Sequence, residues 1–290
     1  MSGYLVASSP ARFGAVGMIL LISVATSGRA DENLAGLHFC TQLSLPAHKQ
    51  AEAMEIADKV SPLHFVRANV SKGMHPATPR LAVQIAALWQ KKWQHGSEIT
   101  VGFLNGEPAV QNKVEIYAHK WEEFANIKFK FGVPNPQIRI MFRPGGSSSY
   151  IGTDALSPSL AGQATMFFGW LTPTTADDEY SRVVIHEFGH ALGAIHEHQH
   201  PDSNIPWNKA KVYEYYATTQ NPPWTHEDVN ENIFKVYDRT WLQYGSYDKT
   251  SIMHYAIPKE LTDGVFEVGW NRDLSGLDKS VILTIYPAGQ

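Results

Sequence analysis

Hydrophobic and polar residues alternate along short segments between residues 98 and 171, as expected for strands of a half-buried sheet. In the first of these segments, Ile99, Val101 and Phe103 share one face. Between and after the segments, hydrophobic residues recur at the three- and four-residue spacing of a helix. Strands that interleave with helices and then give way to a mostly helical, irregular remainder predict an α+β fold. The predicted strands are 98–104, 127–132, 138–142 and 165–171, and the predicted helices are 48–60, 81–93, 108–124, one from about 178, and 273–287.

Two of the predicted helices are preceded by residue pairs at the spacing of a capping box, in which Ser or Thr and an acid three residues later bind each other's backbone N–H groups. Thr175 and Asp178 form one pair, and Ser275 and Asp278 form the other. Pro287 then predicts the end of the last helix. These pairs indicate where the two helices should begin.

The first 30 residues contain an uncharged apolar run between Arg12 and Arg29. The run is shorter than the roughly 20 apolar residues that span a bilayer. A charged start, a short apolar centre and small residues after it are typical of a secretory signal peptide, here with cleavage near Ser27 or Ala30. A buried N-terminal helix or an uncleaved signal anchor is the alternative. We expect residues 1–30 to be a signal peptide and the protein to be secreted into the extracellular space.

Histidine and cysteine are unequally represented in the chain, whose 290 residues include 13 His and one Cys. A single Cys excludes an intramolecular disulfide framework and a zinc site built on several thiolates, so a metal site here must use imidazole and carboxylate. The net charge of −4 shows no basic excess that would attract nucleic acid or an anionic membrane. We therefore expect neither a nucleic-acid partner nor stable membrane association.

One segment carries the pattern His-Glu-x-x-His-x-x-Gly-x-x-His. His186 and His190 lie four residues apart, so a helix projects both imidazoles from one face, and Glu187 lies beside them. Gly193 can adopt a positive φ and end the helix, which lets His196 supply a third nitrogen. Three protein ligands leave zinc an open position for water, which Glu187 could deprotonate as general base. A helix with surface histidines is the alternative interpretation.

A second motif, Ser-Ile-Met-His-Tyr, places Met253 at a distance of 57 residues after His196. The histidine motif followed by a Met-containing turn resembles the metzincin zinc endopeptidases. Within the metzincins, Glu197 directly after the third His and the sequence around Met253 resemble the astacin family. The resemblance covers about residues 80–290, and it looks closest to the secreted astacin-like zinc proteases of fungi and bacteria.

This resemblance implies roles for three further residues. Met253 would form an apolar floor beneath the three imidazoles. Tyr255 would be a fifth zinc ligand that swings away when substrate binds and hydrogen-bonds the developing oxyanion, whereas a core tyrosine is the alternative. Glu197 would tie the lower half of the site together, with the mature N-terminus as one route.

The resemblance also implies a metzincin catalytic domain at 81–290, with an upper subdomain at 81–196 and a lower subdomain at 197–290. The upper part would hold a small mixed sheet and two long helices above the zinc cleft, and the lower part would be helical and irregular. Residues 31–80, with several prolines and one short helical run, resemble a pro-segment or N-terminal extension. Because the edge strand of metzincins pairs antiparallel with substrate, residues 164–170 are either that edge strand or an ordinary core strand.

Two features depart from the astacin pattern. No cysteine follows Cys40, whereas animal astacins have paired cysteines in this domain. His198 and His200 follow the third ligand where an Arg is usual, and they are either extra metal ligands or part of a solvated loop. Cys40 lies upstream of the catalytic domain, where its thiolate could fill the open zinc position as a latency switch, although its neighbours do not match the matrixin switch sequence. An incidental buried thiol is the alternative.

We expect from these patterns a secreted, monomeric, Zn2+-dependent endopeptidase that acts on protein or peptide substrates. The alternatives are a non-catalytic zinc-stabilised secreted binding module and a membrane-tethered ectodomain. A pseudoenzyme typically loses its base while it keeps the metal ligands. Because Glu187 is present, the sequence favours the enzyme.

Overall fold

The computed structural model describes residues 40–62, 91–237 and 246–288, and a six-stranded sheet runs through this part of the chain. The strands are β1 (Cys40–Leu43), β2 (Glu98–Phe103), β3 (Lys128–Phe131), β4 (Ile138–Phe142), β5 (Ser147–Tyr150) and β6 (Met166–Phe168). Their order is β1-β5-β6-β4-β2-β3. β5 runs antiparallel to β6, and all the other neighbours are parallel, so the sheet is mixed.

Six α-helices are described, and together with this sheet they form the expected mixed α and β architecture. The first precedes the sheet's central strands, the next two follow β2 and β6, and the rest lie in the last third of the chain. The helices are α1 (Gln50–Val60), α2 (Pro108–Ala118), α3 (Asp177–Ala191), α4 (Lys209–Thr219), α5 (His226–Val229) and α6 (Gly276–Ile285). None of the described helices is both long and apolar enough to cross a membrane.

The core lies between the sheet and the pair of helices α2 and α3, which pack against each other. The alternation predicted in β2 is present, since Ile99 and Val101 are fully buried. Phe129 of β3 meets Phe188 of α3 edge to face, with ring centroids 4.9 Å apart. Burial of such apolar side chains is the main favourable contribution to folding, and here it fixes α3 against the sheet.

The C-terminal end of α3 is held by two aromatic side chains. Trp93 donates from its indole nitrogen to the carbonyl oxygen of Ala191 at 2.8 Å, and the Tyr286 hydroxyl donates to the carbonyl oxygen of Leu192 at 2.7 Å. Carbonyl groups at a helix end have no partner within the helix, so these bonds satisfy groups that would otherwise be buried unpaired. They fix the point at which the chain leaves α3.

One predicted capping box is present and the other is absent. Ser275 and Asp278 exchange both bonds of the box at the start of α6. At α3 the prediction is wrong, because the cap position is Ala176 and the Thr175 hydroxyl instead accepts a bond from the backbone N–H of Thr172. The start of α3 has three acidic residues in its first turn, which the positive end of the helix dipole stabilises.

Of the two alternatives for residues 164–170, an edge strand or an ordinary core strand, the structure shows the core strand. β6, within the predicted segment 164–170, is flanked by β4 and β5, so its backbone is paired on both sides. The next strand outward is β5, with β1 beyond it. β5 escaped prediction because its sequence, Ser-Ser-Ser-Tyr, has no hydrophobic alternation. The predicted signal peptide 1–30 and residues 81–90 of a predicted helix lie outside the described residues.

Candidate metal and active site

The three motif histidines come together as the sequence predicts. His186 and His190 project from one face of α3, and Gly193 has a φ of 103°, which turns the chain so that His196 meets them. One ring nitrogen from each lies within 4.8 Å of the other two, and all three side chains are buried. Nitrogens bound to a tetrahedral zinc ion lie about 3.3 Å apart, so small adjustments would bring the rings to that geometry.

Two of the rings are oriented by backbone carbonyl groups. Nδ1 of His186 lies 2.8 Å from the carbonyl oxygen of Ile252, and Nδ1 of His190 lies 2.9 Å from that of Ala194. A carbonyl oxygen can only accept, so each Nδ1 carries the proton and donates, and Nε2 is left with a lone pair. This arrangement is typical of metal-bound histidines.

The protonation of the cluster also suits a cation. Burial lowers the pKa of His190 to about 4, and it lowers the pKa of His186 and His196 well below the usual range. The three imidazoles are therefore neutral at pH 7 and able to coordinate. Burial raises the pKa of Glu187 to about 8, so this carboxyl group exchanges a proton near neutral pH.

Several buried polar atoms at this centre have no protein hydrogen-bond partner within the described residues. They are Nε2 of His186, Nδ1 of His196 and both carboxylate oxygens of Glu187. In addition, Nε2 of His190 and Nε2 of His196 face each other at 3.0 Å. Buried polar atoms are rarely left unpaired in folded proteins, and three imidazoles whose ring nitrogens lie within 4.8 Å of one another fit a zinc ion.

The predicted Met-containing turn lies against the zinc-motif helix. Met253 is buried, and its sulfur atom occupies the space that a side chain at Gly189 would need. Asp278 holds the turn from the other side, because its carboxylate accepts from the Ser251 hydroxyl at 2.7 Å and from the backbone N–H of Ile252 at 2.8 Å. The carbonyl group of Ile252 orients His186. Two hydrogen bonds, one from Ile252 to Asp278 and one from His186 to Ile252, therefore link the cap of α6 to the metal site.

Glu197 joins the third histidine to the Met-containing turn. Its backbone N–H donates to the carbonyl oxygen of Met253 at 2.9 Å, and its carboxylate accepts from the backbone N–H of Asp248 at 2.8 Å. Burial raises the pKa of Glu197 to about 8. These bonds lie in the lower half of the site, where the resemblance places a supporting carboxylate.

Tyr255 and Cys40 both lie at the centre. The ring of Tyr255 is 4.3 Å from that of His196 between centroids, and its hydroxyl donates to the carbonyl oxygen of Cys40. The Cys40 sulfur lies within 4.8 Å of a ligand atom of His186 and of Glu187. Burial raises the pKa of the Cys40 thiol well above its usual range, with the Glu187 carboxylate acting in the same direction. Cys40, which precedes His186 by 146 positions in the sequence, therefore lies beside the metal site.

β1 carries Cys40 into this position. It pairs in parallel with β5, with Cys40 opposite Ser147 and Leu43 opposite Tyr150. The strand covers the outer edge of β5, and an uncovered strand edge can bind an extended peptide.

The expectation that His198 and His200 lie in a solvated loop is wrong, because both are buried. Nε2 of His198 lies 2.9 Å from the carbonyl oxygen of Asn232, and Nδ1 of His200 accepts from the backbone N–H of Asp202 at 3.0 Å. Among the described residues, neither belongs to a group that could hold a metal ion.

Sequence reasoning missed Arg182, which lies one helical turn before His186. Its side chain is 8% exposed and lines a cavity together with Cys40, His186 and Trp270. The spacing of four residues that joins His186 to His190 also joins Arg182 to His186. That spacing is the signal from which this residue could have been found.

Comparisons with known proteins agree with this geometry. Residues 86–264 match the family model of the astacin peptidases. A solved structure of myroilysin is 52% identical in sequence to this chain and superposes with a TM-score of 0.66, covering 69% of this chain and 97% of that one.

Two curated relatives are more distant. Zinc metalloproteinase nas-38 of Caenorhabditis elegans is 27% identical over 183 residues, which are 57% of this chain and 20% of nas-38. Astacin-like metalloendopeptidase of Gallus gallus is 28% identical over 109 residues, which are 36% of this chain and 25% of the relative. The matched regions thus span a quarter or less of these curated relatives.

Proposed function

This chain belongs to the astacin family of peptidases, and we propose that it is a zinc-dependent endopeptidase that hydrolyses internal bonds of protein or peptide substrates. The observation that carries the proposal is the buried convergence of His186, His190 and His196 beside an unpaired Glu187. These three histidines would hold the metal. A bound zinc ion would supply Lewis-acid chemistry, by polarising the scissile carbonyl group and lowering the pKa of a water molecule to about 7.

Glu187 is the proposed general base. Glu187 lies on α3 directly after His186, and no nitrogen or oxygen donor of the described residues bonds its carboxylate, which contacts the Cys40 thiol. It takes a proton from the attacking water and delivers that proton to the amine that leaves. Burial raises the pKa of Glu187 to about 8 in the metal-free protein, and the positive charge of a bound zinc ion would lower this pKa towards the ionised form that a base needs.

Tyr255 is the proposed donor to the oxyanion. Its hydroxyl is at the centre, next to the ring of His196. Burial raises the pKa of Tyr255 well above its usual range, so the phenol keeps its proton and can donate to a negative charge that appears in the transition state. Met253 and Glu197 support the site from below and touch no reacting atom in this mechanism.

An extended substrate is proposed to bind along β5. Sheet edges bind peptides by adding a strand, and β5 becomes one of the two edge strands of the sheet once β1 is set aside. The part of the chain before the matched family region would therefore have to leave this edge before substrate enters.

Cys40 is proposed to keep the enzyme latent until β1 leaves the edge of β5. Its thiol is close enough to His186 and Glu187 to become a zinc ligand, which would fill the position that water needs. Its carbonyl group also engages the hydroxyl of Tyr255, so two catalytic groups are blocked by one residue. We therefore propose residues 31–80 as a pro-segment, 81–290 as the catalytic domain, and residues 1–30 as a signal peptide for secretion. The active form is proposed to be a monomer.

The test uses the full chain produced with zinc, treated with trypsin to remove the N-terminal extension, and assayed on casein. Hydrolysis is expected, and a chelator should abolish it. Glu187→Ala should lower the rate by a factor of about 100 or more, since general base catalysis contributes that much. Glu123→Ala, at an exposed glutamate outside the site, should leave the rate unchanged. A zinc-loaded Glu187→Ala protein with full activity would overturn the mechanism.

A further inference from the structure

Two parts of the chain contact β1 where it continues past the metal site. The edge of β1 pairs with β5, and in this register Gln42 is opposite Ser149. The side chain of Gln42 reaches a residue from a distant part of the sequence, because its Nε2 donates to the Tyr237 hydroxyl at 2.9 Å. This hydroxyl would therefore border the space that β1 leaves. The catalytic steps proposed above do not use it.

The position of Tyr237 is fixed by residues that follow the third histidine. Its backbone N–H donates to the carbonyl oxygen of Gln199 at 2.9 Å. Nε2 of Gln199 donates to the carbonyl oxygen of Glu231 at 2.9 Å, and Nε2 of His198 lies 2.9 Å from that of Asn232. None of these contacts involves β1, so they can persist when β1 leaves. A group that is held in place before binding loses little conformational freedom when a ligand arrives.

The strand register indicates which side chain of a substrate would meet Tyr237. Residues directly opposite each other in neighbouring strands point their side chains to the same face of the sheet, whether the strands are parallel or antiparallel. A substrate residue opposite Ser149 would therefore direct its side chain as Gln42 does, towards Tyr237. A substrate residue opposite Ser148 would point to the other face.

The distance along β5 from the metal site gives the place of this residue in the substrate. Cys40 lies beside the metal site and is opposite Ser147. A substrate antiparallel to β5 would present its scissile carbonyl group at this level, and its earlier residues would lie along β5 towards Tyr150. The residue opposite Ser149 would come two residues before the one opposite Ser147. It would therefore be the third residue before the scissile bond.

The surroundings of the Tyr237 hydroxyl favour a neutral side chain that donates a hydrogen bond. Oε1 of Gln42 is buried, so the amide group is shielded from water, and a hydrogen bond is stronger in such surroundings. Nζ of Lys235 lies 5.9 Å from the centre of the Tyr237 ring, so a second cation would be repelled. An amide N–H is a neutral donor, as Gln42 demonstrates.

We propose that Tyr237 is a specificity-determining residue that binds the third residue before the scissile bond and selects Gln there. The inference rests on the proposed peptidase function and on binding of substrate along β5, and it names the substrate class. In the latent chain Gln42 occupies this site, and after activation a glutamine of the substrate takes its place. Tyr237 touches this side chain and no reacting atom, so it acts on the choice of substrate.

The test compares two peptides that differ only in Gln or Met at the third residue before the scissile bond. Met is similar to Gln in length and has no hydrogen-bond donor. The trypsin-treated, zinc-loaded full chain is expected to cleave the Gln peptide with a kcat/KM about fivefold higher, the size of one hydrogen bond between neutral groups. Tyr237→Phe, which removes only the hydroxyl, should bring this ratio to about one.

Two controls separate this role from general effects of the substitution. Tyr213→Phe removes a hydroxyl that donates to Oδ1 of Asn230 at 2.7 Å on the exposed surface, and it should keep the wild-type ratio. A second pair of peptides carries Gln or Met at the second residue before the scissile bond, opposite Ser148. Tyr237→Phe should leave the ratio for this pair unchanged, and an effect there in place of the third residue would overturn the proposal.

A purely structural role of Tyr237 would lower cleavage of both peptides of the first pair equally, and an unchanged ratio in Tyr237→Phe would overturn the proposal. Equal cleavage of both peptides by the wild type would also overturn it, and that measurement needs no variant at Tyr237. Calorimetry of both peptides with trypsin-treated, zinc-loaded Glu187→Gln protein gives a binding ratio without turnover. If the wild-type chain cleaves nothing, the peptidase proposal fails, while the binding ratio with and without Tyr237→Phe still decides the role of Tyr237.

Discussion

A side chain at Gly189 would collide with Met253, because a Cβ atom at Gly189 would lie 2.4 Å from the Met253 sulfur. Trp121 closes the space from another direction, at 3.0 Å from the same position. The turn that carries Met253 and Ile252 therefore approaches α3 as closely as a glycine allows. That approach puts the carbonyl group of Ile252 within hydrogen-bonding distance of His186.

Gly189→Ala is expected to destabilise the protein by about 1–3 kcal/mol, the usual cost of forcing extra atoms into a packed core. The intrinsic preference of helices for Ala over Gly opposes this loss and does not outweigh it. Urea unfolding should show a lower midpoint. At Gly269 an added Cβ meets nothing within 4 Å, so Gly269→Ala is the control and should leave the midpoint unchanged. Equal midpoints for both variants would contradict the collision.

Asp278→Asn should weaken zinc binding as well as stability. The carboxylate caps α6 and also binds the turn at Ser251 and Ile252, which orients His186. Loss of a group that orients a metal ligand typically costs about 10–100-fold in metal affinity. Competition with a zinc chelator measures the affinity, and denaturant unfolding measures the stability.

The matched control for Asp278 is the second capping box of the chain. Thr225 and Asp228 cap α5 with the same pair of bonds. Asp228→Asn should therefore cost stability by loss of the cap while it leaves zinc affinity as in the wild type. If both variants bind zinc with equal affinity, the hydrogen bonds that link α6 to His186 do not contribute to zinc affinity.

The histidine motif could be predicted from sequence because its geometry is local. Four-residue spacing fixes His186 and His190 on one helix face, and one glycine conformation accounts for the return of His196. The Ser275 cap was predictable for the same reason. At Thr175 the local rule failed, since a competing turn uses the hydroxyl.

Contacts that depend on tertiary structure could not be predicted in this way. β5 contains three serines, and its place in the sheet comes from pairing with β1 and β6. The bonds of Asp278 to the Met-containing turn join residues 26 or more positions apart. The burial of His198 follows from the packing of residues near Asn232, which no spacing around the motif encodes.

Lys91→Met should be strongly destabilising near neutral pH. Nζ of Lys91 lies 2.7 Å from a carboxylate oxygen of Asp154, whose side chain is fully buried. Removal of one partner from a buried ion pair leaves an uncompensated charge, at a cost of about 3–5 kcal/mol. Lys130→Met breaks the exposed pair with Glu98 and should have little effect. Chemical denaturation of the two variants at pH 7 makes the comparison.

The cost of Lys91→Met should also depend on pH. Burial already raises the pKa of Asp154 in the wild type, against the opposing charge of Lys91. Above the ordinary Asp pKa of about 4, the folded state then binds more protons than the unfolded state, so stability falls as pH rises through this interval. Without Lys91 the pKa of folded Asp154 rises further, so the pH interval over which stability falls becomes wider. The difference from wild type should be smaller at about pH 4 than at pH 7, and a constant difference would argue against a charged Asp154.

Cys40→Ser should release latency in the full-length protein. A serine hydroxyl is a poor zinc ligand in comparison with a thiolate, so the bond that holds β1 over the metal would be lost and β1 would leave β5 more often. We expect the zinc-loaded variant to cleave a fluorogenic peptide, without trypsin, about tenfold or more faster than the wild-type precursor, which corresponds to a loss of about 1.4 kcal/mol or more in the blocking interaction. Thr41→Ser changes the neighbouring residue of the same strand and keeps the thiol, so it should remain as latent as the wild type. Equal rates for Cys40→Ser and Thr41→Ser would show that the strand blocks the cleft without help from its sulfur.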